Sequence, residues 1–317
     1  NTRLVGSEMC IRDSYYPLMA IKKELESKSN FNFSFVGSKK GIENSKIKNE
    51  NIKYKLIKIS GVNREISIKS FLDNIKVLFN VIIGLFVVAL FFIKQKPDLV
   101  VSTGGYSSFL PLQMARLFSI PYVLHEQNSY PGIVTKIFSA NAKAVFLGFE
   151  NAKNYLKRSK TIYTGNPVLI SDSKPLVFNF KKNLKTLLVF GGSQGSRFLN
   201  EKISNLIERN KLSFLNIIWI VGKDNYQSFK HLENNSLIIY DYCNQMSSIY
   251  MNVDIVVSRS GAMTISELIK FQLPSILVPF KFSSESHQLF NAKFLQNSLC
   301  SNLIEEDNFS EKSFLVT

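Results

Sequence analysis

At 317 residues, with 45% hydrophobic and 20% charged side chains, the chain is too apolar to be disordered and too long for one ordinary core. Two domains of about 150 residues each are expected. A formal charge of +15 favours anionic partners: nucleic acid, acidic phospholipid or phosphorylated ligands. The basic residues are dispersed, with no zinc-finger spacing and no basic cluster interleaved with aromatics, and this sets nucleic acid aside.

Residues 1–14 hold no apolar core of signal-peptide length and do not read as a strand and turn. Phe31–Gly37 reads as a strand, and the polar stretch Lys39–Lys55 as a loop or edge region. Val77–Ile93 is apolar over about 17 residues, the lower limit for crossing a bilayer. Lys69 and Lys76 precede it, and Lys94 and Lys96 follow. A spanning helix would split one α/β sheet across a membrane, so spanning is rejected. Two readings stay open: a helix buried wholly in the core, or one that also meets a bilayer surface through its basic flanks.

Strands follow at Leu99–Ser102, Tyr122–Glu126 and Ala144–Leu147. After Gly165-Asn166-Pro167 the pattern restarts with Leu187–Phe190, Ile217–Val221, Leu237–Tyr240, Ile255–Ser258 and Ser275–Val278. Strands alternating with helical stretches imply parallel sheets of right-handed βαβ units. The expected fold is α/β, two doubly wound domains over residues 1–164 and 165–317, with ligands beyond the carboxyl ends of the strands. Cys10, Cys243 and Cys300 lie far apart, with neither metal nor disulfide spacing, which fits a reducing cytoplasm.

Chemistry-bearing residues cluster where strands end. Gly191-Gly192-Ser193-Gln194-Gly195 follows an apolar strand and opens a helix, an arrangement that points backbone N–H groups and a helix dipole at a phosphate. The plainer reading is a tight turn without a ligand. Gly104-Gly105-Tyr106 repeats the pattern in the first half, either as a diphosphate loop or as simple helix–strand packing. His125-Glu126-Gln127-Asn128 places four polar side chains at a strand end, where they are costly unless hydrogen-bonded or facing a ligand. No second His or Cys stands at ligand spacing, so no metal is expected. In Arg259-Ser260-Gly261-Ala262-Met263 a strand again turns into a helix, and Glu267, about two turns in, suits a ribose diol. His287 and Gln288 open a later helix and suit sugar hydroxyls.

Taken together, K-P-D-L-V-V-S-T-G-G-Y, I-P-Y-V-L-H-E-Q-N, G-N-P-V, G-G-S-Q-G-S-R-x-L-N, S-R-S-G-A-M-T-I-S-E and V-P-F with H-Q-x-x-N-A resemble the MurG family, in its order and spacing. These are N-acetylglucosaminyltransferases of peptidoglycan synthesis. The resemblance implies a GT-B fold, two Rossmann-like domains facing across a cleft. It implies an inverting hexosyltransferase that moves N-acetylglucosamine from UDP-GlcNAc to the muramyl 4-hydroxyl of lipid I, forming lipid II, without cofactor or metal. It also implies a peripheral enzyme on an anionic membrane surface, at the cytoplasmic face of the inner membrane, serving cell shape and division.

By matching position, Ser193 and Gln194 would contact the donor's diphosphate and sugar. Arg259, Ser260, Gly261, Ala262 and Met263 would line its diphosphate and uridine side. Tyr242 and Cys243 would cover the uracil, Glu267 would bind the ribose, and His287 and Gln288 the GlcNAc hydroxyls. Asn128 would lie near the reacting sugar. Gly104, Gly105 and Tyr106, with Ser14, would form the acceptor loop.

The chain departs from the family's pattern in three places. Ser14 stands where the family has His, Leu169 where it has Arg, and the chain stops before the family's closing helices. The expectation is a fragment with a non-native start, transferring sugar poorly, with His125 or Glu126 left as candidate bases. The alternatives are another GT-B nucleotide-sugar transferase, or an inactive fragment that binds UDP-sugar.

Overall fold

The computed structural model describes residues 3–7, 15–39, 43–59, 68–169, 176–192, 195–296 and 301–316. The chain forms two compact units, Asn1–Leu169 and Ile170–Thr317.

The first unit alternates strands and helices: β1 (Arg3–Ser7), α1 (Tyr15–Lys28), β2 (Asn32–Ser38), α2 (Glu43–Lys46), β3 (Lys53–Ile57), α3 (Ile68–Gln95), β4 (Leu99–Ser102), α4 (Phe109–Leu117), β5 (Tyr122–Glu126), α5 (Ile133–Phe138), β6 (Ala144–Leu147) and β7 (Thr161–Tyr163). Its sheet runs β3-β2-β1-β4-β5-β6-β7. All pairs are parallel. Helices cover both faces of such a sheet, so the inner strands read as nearly unbroken apolar runs, L-V-V-S in β4 and A-V-F-L in β6.

β1 corrects the sequence reading. Residues 3–7 form a strand paired on both sides, Leu4 with Phe33 of β2 and with Leu99 of β4. Five residues containing a glycine carry little strand propensity. Two flanking strands whose backbone groups need partners supply what propensity lacks. The polar stretch after β2 likewise ends in an ordered edge strand, β3.

α3 bears on one of the two readings left open for it. Val88 and Phe92 are buried against Leu110, Leu112 and Met114 of α4 and against Val100 of β4. Leu78, Ile83 and Leu90 of the same helix are exposed, as are Phe79 at 65% and Phe86 at 70%. The helix is therefore not wholly buried. β3 before it and β4 after it belong to one sheet, so the chain returns to the layer it left.

The second unit comprises β8 (Lys185–Phe190), α6 (Arg197–Glu208), β9 (Leu215–Ile220), α7 (Tyr226–Phe229), β10 (Leu237–Tyr240), α8 (Met246–Tyr250), β11 (Ile255–Ser258), α9 (Ala262–Phe271), β12 (Ser275–Leu277), α10 (His287–Gln296), β13 (Ser301–Leu303) and α11 (Glu311–Val316). The order is β10-β9-β8-β11-β12-β13, again all parallel. Leu187, Val189, Trp219, Val257, Leu199 and Ile203 form its core, closed by Phe309 and Phe314. In each sheet the order reverses beside the first strand, at β1/β4 and at β8/β11. Doubly wound sheets open a crevice for ligands at that point.

Candidate functional site

In the second unit, Phe190 of β8 pairs with Ser258 of β11, so the turns that follow these strands leave the sheet side by side. The first turn needs its glycines. A side chain at Gly191 would run into the backbone nitrogen of Ser196, and one at Gly195, where φ is +79°, into the carbonyl of Val221. Ser193 and Gln194 lie outside the described residues. Ser196 caps α6 by accepting the Leu199 N–H at 3.3 Å. Buried Asn200 fixes the helix to β9: its Nδ2 donates to the Val221 carbonyl at 2.8 Å, and its Oδ1 accepts from Trp219 Nε1 at 3.2 Å.

The second turn has no side-chain cap. Gly261 precedes α9, so its first-turn N–H groups, those of Ala262 and Met263 among them, have no capping side chain and form a candidate anion site. Ser260 is buried and donates from Oγ to the Gln288 carbonyl at 2.8 Å. Its own carbonyl accepts from Asn291 Nδ2 at 3.3 Å. Gln288 Oε1 in turn accepts the Phe280 N–H at 2.9 Å. These bonds hold the start of α10, with His287 and Gln288, against the α9 turn. Glu285 and Ser286, immediately before it, both take left-handed backbone angles, φ of 52° and 54°. Non-glycine residues adopt that conformation at a cost of about 1 kcal/mol or more each.

Glu267 stands half-buried on α9, its Oε2 accepting from the Tyr250 hydroxyl at 2.8 Å. Tyr250 is itself buried between Phe190 and Phe271. Tyr242 and Cys243 follow β10, at the same edge of the sheet, both half-buried. Cys243 Sγ accepts the Gln245 N–H, and Lys223 stands 5.9 Å from the Tyr242 ring.

Arg259, expected from sequence beside the donor diphosphate, is buried to 8% exposure, and its guanidinium donates to protein groups, Ser196 Oγ and the Val278 and Pro279 carbonyls among them.

In the first unit, Gly104 and Gly105 follow β4 with φ of +80° and +79°. Ser102 Oγ accepts the Gly104 N–H, and Ser108 Oγ donates to the Gly104 carbonyl. Tyr106 is exposed beside them. Ser14 lies outside the described residues.

At the end of β5 the polar side chains turn inward. His125 is buried; desolvation takes its pKa from 6.5 to about 4, so the ring is neutral near pH 7. Nε2 donates to the Gly165 carbonyl at 3.2 Å, and Nδ1 accepts from Gln127 Nε2 at 2.9 Å. Burial raises the Glu126 pKa, against four stabilising hydrogen bonds. Its oxygens accept from Asn128 N at 3.1 Å, Asn128 Nδ2 at 3.4 Å, Gly132 N at 3.1 Å and the Thr135 side chain. Asn166 Nδ2 donates to the Gln127 carbonyl at 3.0 Å, and a side chain at Gly148 would overlap Asn166. The G-N-P motif therefore underpins the H-E-Q-N turn. Both candidate bases are hydrogen-bonded into that turn. Of this set, Asn128 alone is not fully buried.

Sequence reasoning missed Tyr250, Ser196 and Asn200. Asn200 closes the Gly-rich motif and carries a signal by position; Tyr250 carries none.

Residues 15–147 match the glycosyltransferase family 28 N-terminal domain, and residues 186–315 its C-terminal domain. The chain is 35% identical over 305 residues to the UDP-N-acetylglucosamine–N-acetylmuramyl-(pentapeptide) pyrophosphoryl-undecaprenol N-acetylglucosamine transferase of Sulfurihydrogenibium sp. (strain YO3AOP1), covering 94% of this chain and 83% of that one. It is 29% identical over 312 residues to the transferase of the same name from Bacillus subtilis (strain 168), covering 95% and 85%. The crystal structure of Acinetobacter baumannii MurG superposes with a TM-score of 0.77 at 22% identity, over all of this chain and 90% of that one. The UDP-GlcNAc 2-epimerase of Methanocaldococcus jannaschii does so at 0.60 and 15%, over 96% and 89%. The shared fold is GT-B, two Rossmann-like parallel-sheet domains.

Proposed function

The chain belongs to the MurG family of UDP-N-acetylglucosamine–N-acetylmuramyl-(pentapeptide) pyrophosphoryl-undecaprenol N-acetylglucosamine transferases, and on that premise we propose how its residues serve the reaction. The enzyme transfers N-acetylglucosamine from UDP-GlcNAc to lipid I, forming lipid II. The muramyl 4-hydroxyl attacks C1 of the donor sugar, the C1–O bond to UDP breaks on the opposite face with the electron pair leaving on the diphosphate, and the hydroxyl proton passes to solvent water. The transition state has oxocarbenium character.

One observation carries the donor assignment: two turns, one glycine-locked and one uncapped, emerge side by side at the β8/β11 reversal, with Glu267 on the second helix. Backbone N–H groups and helix dipoles there offset the charge that grows on the leaving diphosphate. Glu267, oriented by Tyr250, accepts the ribose hydroxyls. Tyr242 and Cys243 cover the uracil. Ser193, Gln194, His287 and Gln288 hold the sugar end, and Ser260, Gly261, Ala262 and Met263 the diphosphate. In the first unit, Gly104, Gly105, Tyr106 and Ser14 receive the acceptor diphosphate. His125 and Glu126 act by holding the turn that carries Asn128, and Asn128 meets the reacting sugar.

The lipid-linked acceptor calls for a membrane surface. The exposed α3 face, with Lys76 and Lys94 on the same helix, supports peripheral docking on anionic lipid at the cytoplasmic face of the inner membrane. Isothermal titration with UDP-GlcNAc tests the donor site. Saturable binding that uridine diphosphate displaces is expected; absence of heat at millimolar donor refutes the assignment.

A further inference from the structure

Arg259 directly follows β11, and its guanidinium joins three segments of the second unit. Nε and Nη2 donate to Ser196 Oγ at 3.1 and 2.8 Å. Nη1 donates to the carbonyls of Val278 and Pro279, each at 3.1 Å. Nη1 also pairs with Glu306 Oε1 at 2.5 Å. The Phe198 and Phe280 rings lie 5.7 and 5.5 Å from the guanidinium carbon. Ser196 adjoins Gly195 and caps α6. Pro279 adjoins Phe280, whose N–H holds Gln288. One side chain therefore ties the glycine turn to the segment that sets the start of α10.

Glu306 makes this arrangement possible. Its side chain is 12% exposed and Arg259's is 9%. A buried guanidinium without a counter-ion is strongly destabilising, and a paired one adds little net stability but fixes geometry. Arginine's planar fork of donors can meet a hydroxyl and two carbonyls while its charge pairs with a carboxylate. Glu306 lies in E-E-D, an acidic run that reads in sequence as a solvated turn.

We propose that Arg259 and Glu306 are positioning residues of the donor site: Arg259 braces Ser196, at the end of the glycine turn, against Val278 and Pro279, and Glu306, its counter-ion, sets donor affinity through it. The proposal rests on the donor reading above.

The test is titration calorimetry of the full chain with UDP-GlcNAc, on the parent, Glu306→Gln, Arg259→Lys and the double variant, each first shown by its melting curve to be folded at the working temperature. Glu306→Gln is expected to weaken binding about 10-fold, and Arg259→Lys at least as much. The double variant is expected to lose no more than the worse single one, since residues of one network are not additive. A purely structural pair would lower the melting temperature and leave the affinity of the folded protein unchanged. A direct phosphate contact by Arg259 would weaken Arg259→Lys and leave Glu306→Gln within twofold of the parent. Either result overturns the proposal. Should Glu306→Gln fail to fold, Glu306→Asp keeps the charge and shifts the geometry: a loss of about threefold supports the brace, and unchanged affinity overturns it. A parent chain that binds no UDP-GlcNAc fails at the donor reading itself and takes the brace with it, an outcome distinct from the variant results.

Discussion

The two sheets share a strand order and a glycine turn at the point of reversal, but they use polar residues in opposite ways. In the second unit, polar side chains at the strand ends stitch loop to loop: Ser260 to Gln288, Gln288 to Phe280, Tyr250 to Glu267. The α9 N-terminus stays uncapped beside them. In the first unit, His125, Glu126 and Gln127 are buried and hydrogen-bonded around one turn and to the Gly165-Asn166 segment, while a long helix shows apolar side chains to the outside. The proposed donor site of the second unit draws on backbone dipoles and a fixed carboxylate, and the proposed lipid-facing role of the first on an apolar helix face.

Four measurements break or sharpen that contrast, the largest effect first. Gly195→Ala places a Cβ against the Val221 carbonyl at a left-handed φ. Strain and overpacking together cost about 3 kcal/mol or more. Chemical denaturation of the second unit should report that loss, with donor binding abolished; a parent-like midpoint would show the turn to be pliable.

His125 makes the first unit acid-sensitive. Its folded pKa, about 4, lies below the ordinary 6.5, so the unfolded chain binds the extra proton first. The stability it contributes is complete above pH 6.5 and is lost as pH falls toward 4, about 3 kcal/mol in all at 1.36 kcal/mol per unit. Glu126 works in the opposite sense, because its raised folded pKa makes stability fall as pH rises through it. Comparing the parent with His125→Gln cancels that second effect. The variant should lose less stability between pH 6.5 and 4, and identical slopes would remove His125 from the account.

Glu267→Ala should weaken UDP-GlcNAc binding by about 1.5–3 kcal/mol, the range for hydrogen bonds to a charged group. Tyr250→Phe, which only loosens that carboxylate, should cost about 1 kcal/mol. Unchanged calorimetric affinity in Glu267→Ala would remove the ribose assignment.

The smallest effect on stability belongs to α3. Phe79→Glu and Phe86→Glu alter side chains that are 65% and 70% exposed, so the folding free energy should move by no more than about 0.5 kcal/mol. Flotation with anionic vesicles should nevertheless fall sharply, and the parent's binding should weaken with salt. Vesicle binding unaltered by both substitutions would assign the apolar face another purpose.

The sequence by itself determined most of the sheet. β4, β5, β6, β10 and β11 match the strands read from the sequence residue for residue, with β5 ending in the polar residues His125 and Glu126. A parallel strand buried on both faces must be apolar throughout, and the turn chemistry that follows it is local. The glycine turn, the α9 turn and Glu267 were legible for the same reason: a strand end, small residues and a helix start lie within a dozen positions. What the fold decided was everything that depends on residues meeting from afar. β1 exists because β2 and β4 flank it. α3 exposes one face because only the other meets α4. His125 and Glu126 turned inward because Gly165, Gly132 and Thr135 wait there with partners, and a buried ionisable group goes where its hydrogen bonds are. Arg259 is buried because Ser196, Pro279 and Glu306, each distant in sequence, converge on its guanidinium.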